Sequence, residues 1–277
     1  LYAIFIGVVI SLGASAIVVL VLFGGFALFQ VFFGDKLAMR TMKARFVTAE
    51  EAPEYHAMVD RLCQLNDIAK PKLAIADTEM PNAFAMGRSR KNASVTVTTG
   101  LVERLDRDEL EGVIAHEIGH IVNRDVLVMT IAGFLATLAA LVVRMGLYGG
   151  MGRSRGNAGA QILVIIVVSA VVYALSYILL RALSRYREYA ADRTGAQITG
   201  KPSALASALN KIAGTMSLIP QKDLRAAEGM NAFFVLPARP RGMSLSRLFS
   251  THPPTEERVA RLMDLQGQMD STGRAQL

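Results

Sequence analysis

The sequence predicts a mainly α-helical integral membrane protein whose remaining residues fold into a domain with a small β-sheet. Three observations carry this expectation. Of the 277 residues, 52% are apolar and mean hydropathy is positive, a balance too greasy for an ordinary soluble domain. The apolar residues are gathered into long runs almost free of charge. Between those runs, stretches with helical periodicity alternate with two short segments of strand character.

Residues 2–33 carry no charge, and Gln30 is their one strongly polar side chain. That run exceeds the roughly 20 apolar residues needed to cross a bilayer. Ser11, Gly13 and Ser15 interrupt it, so it reads either as one tilted span or as two, with two favoured and the first incomplete. No basic leader or small-residue cleavage site is evident, which argues against a removed signal peptide. Leu1 in place of an initiator Met suggests a trimmed or processed start.

Residues 49–69 read as an amphipathic helix, with Tyr55, Met58, Val59, Leu62 and Leu65 at helical spacing. Residues 72–76 and 94–99 read as strands, the second alternating Val95 and Val97 with threonines, and 81–85 with a basic turn at 88–92 joins them. Asp106 and Glu109 form a capping box that starts a helix near Arg107. Its inward side takes Leu110, Val113, Ile114, His116, Glu117 and His120. The runs 126–143 and 160–183, joined by a Gly- and Arg-rich segment at 145–159, form a hairpin of membrane helices; a hydrophobic hairpin buried in a soluble core is the alternative. From 181 to 198 the second helix continues out of the membrane. Another helix spans 202–216, with Leu205, Leu209 and Ile212 in register. Residues 217–250 are irregular, a candidate lid or partner-binding loop. A last helix covers 254–269, and 270–277 is expected to be disordered.

The formal charge of +7 raises the question of nucleic acid. Lys and Arg, however, are spread along the chain and enriched beside the apolar spans without interleaved aromatics, which points to anionic lipid surfaces and excludes nucleic acid as a partner. Lys36, Arg40, Lys43 and Arg45 on one flank, with Arg181, Arg185 and Arg187 on the other, orient both flanks to the cytoplasm. Arg153 and Arg155 in the hairpin loop pull against that orientation. Cys63 is the single cysteine, so no internal disulfide forms; a reducing compartment and a packing role fit it.

The run His116-Glu117-Ile118-Gly119-His120 is the chemical centre of the chain. Histidines four apart lie one above the other on a helix, so both can ligate one tetrahedral ion while Glu117 sits beside its open position as a general base. A catalytic zinc takes a third protein ligand. The spacing that would supply a third His six residues after His120 is absent, since Val126 stands there. Glu188 is the best remaining candidate. Asp192, one turn further on the same face, can accept the second-ring N–H of a ligand histidine. On residue types alone the alternative stays open that both carboxylates join Arg185, Arg187 or Arg193 in a solvated charge cluster. His56, on the amphipathic helix, is not read as a ligand. Arg124 and Asp125 are read as closing the helix electrostatically.

The ordered set His116-Glu117-x-x-His120, Asn123-Arg124-Asp125, a membrane hairpin, then Ser184-Arg185-x-Arg187-Glu188-Tyr189-x-Ala191-Asp192 resembles the HtpX-type membrane zinc metalloproteases, relatives of the type I CAAX prenyl proteases. The similarity also takes in Pro81-Asn82-Ala83-Phe84-Ala85, Thr98-Thr99-Gly100-Leu101 and Thr251-His252-Pro253-Pro254. The resemblance implies a gluzincin-type zinc peptidase domain carried on membrane helices. It assigns one Zn2+ per chain to His116, His120 and Glu188, with Glu117 as general base. It further implies that Asn82 binds substrate main chain and that His252 and Arg258 approach the catalytic centre, His252 as an oxyanion donor and Arg258 on the substrate. The expected layout is 1–34 as an N-terminal transmembrane region, 35–125 as the first part of the catalytic domain, 126–183 as the hairpin and 184–277 as the second part. The implied activity is endoproteolysis of damaged or misfolded membrane proteins at the cytoplasmic face of a bacterial-type inner membrane, in protein quality control and stress response. The rival readings are a CAAX-type protease of prenylated peptides and a non-catalytic zinc-binding adaptor, the latter opposed by the intact Glu117.

Overall fold

The computed structural model describes residues 39–87, 89–148, 157–216 and 252–274, together with scattered positions between 24 and 37. The chain divides into two units. One holds Leu1–Gly34 and Leu127–Leu183, the other Asp35–Val126 and Ser184–Leu277.

The second unit contains a four-stranded sheet of β1 (Ala44–Phe46), β2 (Lys72–Ala76), β3 (Ala83–Met86) and β4 (Ser94–Thr98), in the order β1-β2-β4-β3. β2 and β4 run parallel, and the outer strands pair antiparallel with them. The register sets Leu73 and Ala85 beside Val95, and Ile75 and Ala83 beside Val97. Side chains alternate across a pleated sheet, so these residues share the face that packs on the helices. The central pair β2 and β4 was legible from its β-branched residues. The outer strands were not: β1 has three residues, and Ala-Phe-Ala-Met in β3 carries little strand propensity until β4 recruits it. Asn82 pairs inward, with Thr98 N donating to its carbonyl at 3.0 Å. By antiparallel alternation the backbone groups of Ala83 and Ala85 are then directed away from β4, toward the sheet edge.

Helix α1 (Pro53–Leu65) buries Tyr55, Met58, Val59, Leu62 and Cys63. It is shorter than 49–69, and Leu65, expected on the buried face, is exposed as its last residue. A short helical turn, α2 (Thr99–Val102), follows β4 and is capped by the Thr98 side chain. Helix α3 (Arg107–Val122) starts at the expected capping box: Glu109 N donates to Asp106 Oδ1 and Asp106 N to Glu109 Oε2, each at 3.0 Å. Glu109 is buried and also accepts from Ser207 and Lys211, both at 2.6 Å, on α6 (Pro202–Met216). One acidic side chain thus caps α3 and ties it to α6. Leu205, Leu209 and Ile212 fill the space between them, each burial contributing roughly 1.5–3 kcal/mol.

The last helix, α7 (Thr255–Arg274), extends past residue 269, so 270–274 is helical where disorder was expected. A Gln266–Asp270 hydrogen bond at 2.9 Å, one helical turn apart, carries the helix onward.

In the first unit lie most of α4 (Asp125–Tyr148) and the first half of α5 (Asn157–Thr199). Among the described residues, Ile166–Thr199 is the one helical stretch long and apolar enough to cross a membrane, and only 17% of its apolar window is buried. Leu163, Val167, Val171, Ile178 and Leu179 are exposed, while Ile166, Ser169, Val172 and Ser176 form the buried stripe. That exposure suits lipid and opposes the soluble-core alternative. From Arg181 onward α5 carries charged residues. The expected passes in 2–33 fall largely outside the described residues, as do the hairpin tip at 149–156 and the loop at 217–251.

Candidate metal centre

The site is assembled from α3, α5 and α7. Two glycines let α3 and α5 approach closely. A Cβ on Gly195 would stand 2.8 Å from the backbone nitrogen of His116 and 2.9 Å from its Cα; one on Gly119 would stand 3.1 Å from the Ala191 carbonyl. With hydrogen in those places, α5 crosses α3 at the height of His116 and brings Glu188 alongside both histidines.

His116 Nε2 and His120 Nε2 lie 3.2 Å apart. Glu188 Oε2 is 3.8 Å from the first, and Glu188 Oε1 is 3.6 Å from the second. One ligand atom from each of the three residues falls within 4.8 Å of the others, so the set could hold a metal ion. Each imidazole is supported on its far nitrogen: His116 Nδ1 is 2.9 Å from Asp192 Oδ1, and His120 Nδ1 is 2.6 Å from Asp125 Oδ2. A carboxylate accepts only, so a proton on His120 Nδ1 leaves a lone pair on its Nε2, and a proton on His116 Nδ1 facing Asp192 would do the same. Two lone pairs and a carboxylate then converge on one buried point. That arrangement is repulsive by itself and fits a cation with two nitrogen ligands and one oxygen ligand, the donor set of a catalytic zinc.

The charges around this point are buried and mutually arranged. Arg258 is fully buried, donates from Nε and Nη2 to the two oxygens of Asp192 at 2.8 and 2.7 Å, and places Nη1 3.3 Å from Glu188 Oε2. His252 Nδ1 lies 3.2 Å from the same Glu188 oxygen. Burial alone would raise Glu188; His252, Arg258 and His120 outweigh it and hold the carboxyl well below its ordinary value. Asp192 is likewise lowered against the effect of burial, by Arg258 and His116. Asp125 is lowered against burial by hydrogen bonds from His120 and Arg187. Glu117 goes the other way. Burial, with Glu188 nearby, lifts it to about 7, against the lowering effect of His120, the Ala85 backbone N–H and Arg258. The two neighbouring carboxyls are thus driven in opposite directions, Glu188 toward its ionised form and Glu117 toward its protonated one.

The structure brings His116, Glu117, His120, Glu188, Asp192, His252 and Arg258 together. Arg258 lies across Asp192 and Glu188, at the cluster it is expected to approach. Asn82 is buried at the start of β3, with its backbone N–H donating to Thr98 Oγ1 at 2.9 Å. Glu117 is linked to that strand through Ala85. Sequence reasoning missed Asp125. The signal was its position five residues after His120, where a reverse bend can return a carboxylate to the imidazole, and Arg124 makes that bend with a left-handed φ of 57°.

A family description, Peptidase family M48, matches residues 49–266. The chain is 48% identical over 269 residues to Protease HtpX homolog 2 of Methanosarcina mazei, covering 97% of this chain and 91% of the relative. It is 48% identical over 264 residues to Protease HtpX homolog 1 of Streptomyces coelicolor, covering 95% and 87%. Among solved structures, that of S. mikatae Ste24p shares the fold with a TM-score of 0.57 at 16% identity; the match covers 94% of this chain and spans 62% of that longer one. With a His, His and Glu cluster inside the matched segment, this chain belongs to peptidase family M48, among the HtpX-type membrane metalloproteases.

Proposed function

We propose that the chain is a zinc endopeptidase that cuts damaged or misfolded membrane proteins, with its site facing the cytoplasm. The observation that carries this reading is the convergence of a His, His and Glu donor set, two of the three buried, with the buried Glu117 carboxyl and a sheet edge on the same side. His116, His120 and Glu188 would hold the ion, with Asp192 fixing His116. Bound there, zinc would supply Lewis acidity toward water and the scissile carbonyl.

The remaining work falls to the protein. Glu117, buried beside the two histidines, takes the proton of the attacking water and returns it to the leaving nitrogen. Asn82, the outward backbone groups of Ala83 and the outward carbonyl of Ala85 receive an extended peptide as an added strand, which favours unfolded segments over folded ones. His252, buried beside Glu188, serves as the donor to the developing oxyanion. Arg258 holds Glu188 and Asp192 in place. The basic residues 36–45 and 181–187 set the cytoplasmic orientation.

Full-length protein in detergent should cleave an unfolded membrane protein in preference to a prenylated C-terminal peptide. The Glu117→Gln variant should leave both intact. Undiminished cleavage by that variant would sink the mechanism, and preference for the prenylated peptide would overturn the substrate class.

A further inference from the structure

The two histidines of the cluster are backed in parallel ways. Behind His116 stands Asp192, gripped by Arg258. Behind His120 stands Asp125, whose Oδ2 is 2.6 Å from Nδ1 while its Oδ1 lies 2.8 Å from Arg187 Nε. We propose that Asp125 and Arg187 are positioning residues for the metal: Asp125 fixes the ring and tautomer of His120, and Arg187 clamps Asp125. This rests on reading the cluster as a zinc site.

The local geometry is specific to that task. Asp125 is the first residue of α4, where an acidic side chain ordinarily serves the helix's own first-turn N–H groups. Here both carboxylate oxygens are directed at other partners, and the residue is buried. The left-handed Arg124 that turns Asp125 back toward His120 carries a Cβ, a conformation that costs roughly 1–2 kcal/mol. Arg187 immediately precedes Glu188, so α5 delivers a clamp and a ligand from consecutive residues. His120 is the more exposed of the two imidazoles, with 12% of its side chain accessible against none for His116. It is therefore the ring with less packing to hold it and more need of a hydrogen-bonded support.

The competing explanation is a plain ion pair that pins the α3–α4 corner to α5. Glu111 provides the control, because it lies on α3 with His120, is as buried as Asp125 and pairs with Arg61. The full chain in detergent is stripped of metal, and zinc affinity is measured by competition with a chromogenic chelator; Co2+ absorption reports ligand geometry. Asp125→Asn should weaken zinc binding about 10- to 100-fold and shift the Co2+ d–d bands. Arg187→Met should weaken it by a smaller factor, and Arg187→Lys should recover part of the loss. Glu111→Gln should leave affinity and spectrum unchanged even where it lowers the melting temperature. If Asp125→Asn fails to fold, the Arg187 pair carries the test. Wild-type affinity and spectrum in the Asp125 and Arg187 variants, or an equal loss in Glu111→Gln, would overturn the inference while the zinc reading stands. A wild-type chain that binds no zinc would overturn both.

Discussion

Replacing Gly195 by Ala adds one methyl group where α5 crosses α3. In an ordinary helix the change stabilises by about 1 kcal/mol, because Gly is the poorer helix former. At this crossing the new Cβ would stand 2.8 Å from His116 N, 2.9 Å from His116 Cα and 3.1 Å from Ala115 C, all backbone atoms that cannot swing aside. Comfortable contact begins near ~3.5 Å, so the helices must part by roughly 0.6 Å. Metal–ligand distances tolerate only about 0.2 Å. Glu188 lies two turns before Gly195 on α5, so the displacement moves it away from His116 and His120 together. Overpacking of this size costs about 1–3 kcal/mol, which offsets or exceeds the helical gain. Zinc affinity should fall about tenfold or more, since each tenfold corresponds to ~1.4 kcal/mol. Gly214→Ala on α6 is the internal control, because its Cβ would meet nothing within 4 Å. Thermal melts and chelator competition on both variants decide the matter. If Gly195→Ala raises the melting temperature as Gly214→Ala does and keeps wild-type zinc affinity, the close crossing does not set the site.

Two further outcomes follow from buried groups. In metal-free protein the Glu117 carboxyl is lifted from its ordinary 4.5 to about 7 by burial, so the folded state holds its proton where the unfolded state has lost it. Stability from this group is therefore full below about pH 4.5 and is lost as pH rises to about 7, by ~3 kcal/mol at ~1.4 kcal/mol per unit. Glu117→Gln should abolish that decline in denaturant titrations at pH 5 and pH 8, and a parallel decline in wild type and variant would refute it. Glu188, Asp192 and Asp125 are lowered instead, so their contribution is lost only on acidification. Leu209→Ala, in the fully buried α6 stripe, should cost ~2–5 kcal/mol in urea unfolding, whereas a loss below about 1 kcal/mol would mean that α6 packs more loosely on α3 than described.

The parts of this structure that were legible in the sequence are those written in local chemistry. The capping box at Asp106 and Glu109 began α3 where expected, and the alternation of Val95 and Val97 revealed β4. The i, i+4 histidines, with Glu188 and Asp192 one turn apart, singled out side chains that the fold gathers into one cluster able to hold a metal. What stayed hidden depends on tertiary context. β3 is a strand because β4 offers it a partner, and its Ala and Met residues announce nothing alone. Asp125 looked like a charge ending a helix; only the left-handed turn at Arg124 returns it to His120. Arg258 lies far along the chain from Asp192 and Glu188, and no periodicity could show that its guanidinium would be buried against both.

On the proposed reading, His116, His120 and Glu188 hold a zinc ion that Glu117 serves as base without ligating. Metal content of the full chain and its variants, purified in parallel and assayed by atomic emission, tests it most directly. Wild type and Glu117→Gln should each carry about one zinc per chain, and Glu188→Gln or His116→Ala little or none. Zinc retained at wild-type level in Glu188→Gln, or lost from Glu117→Gln, would contradict it.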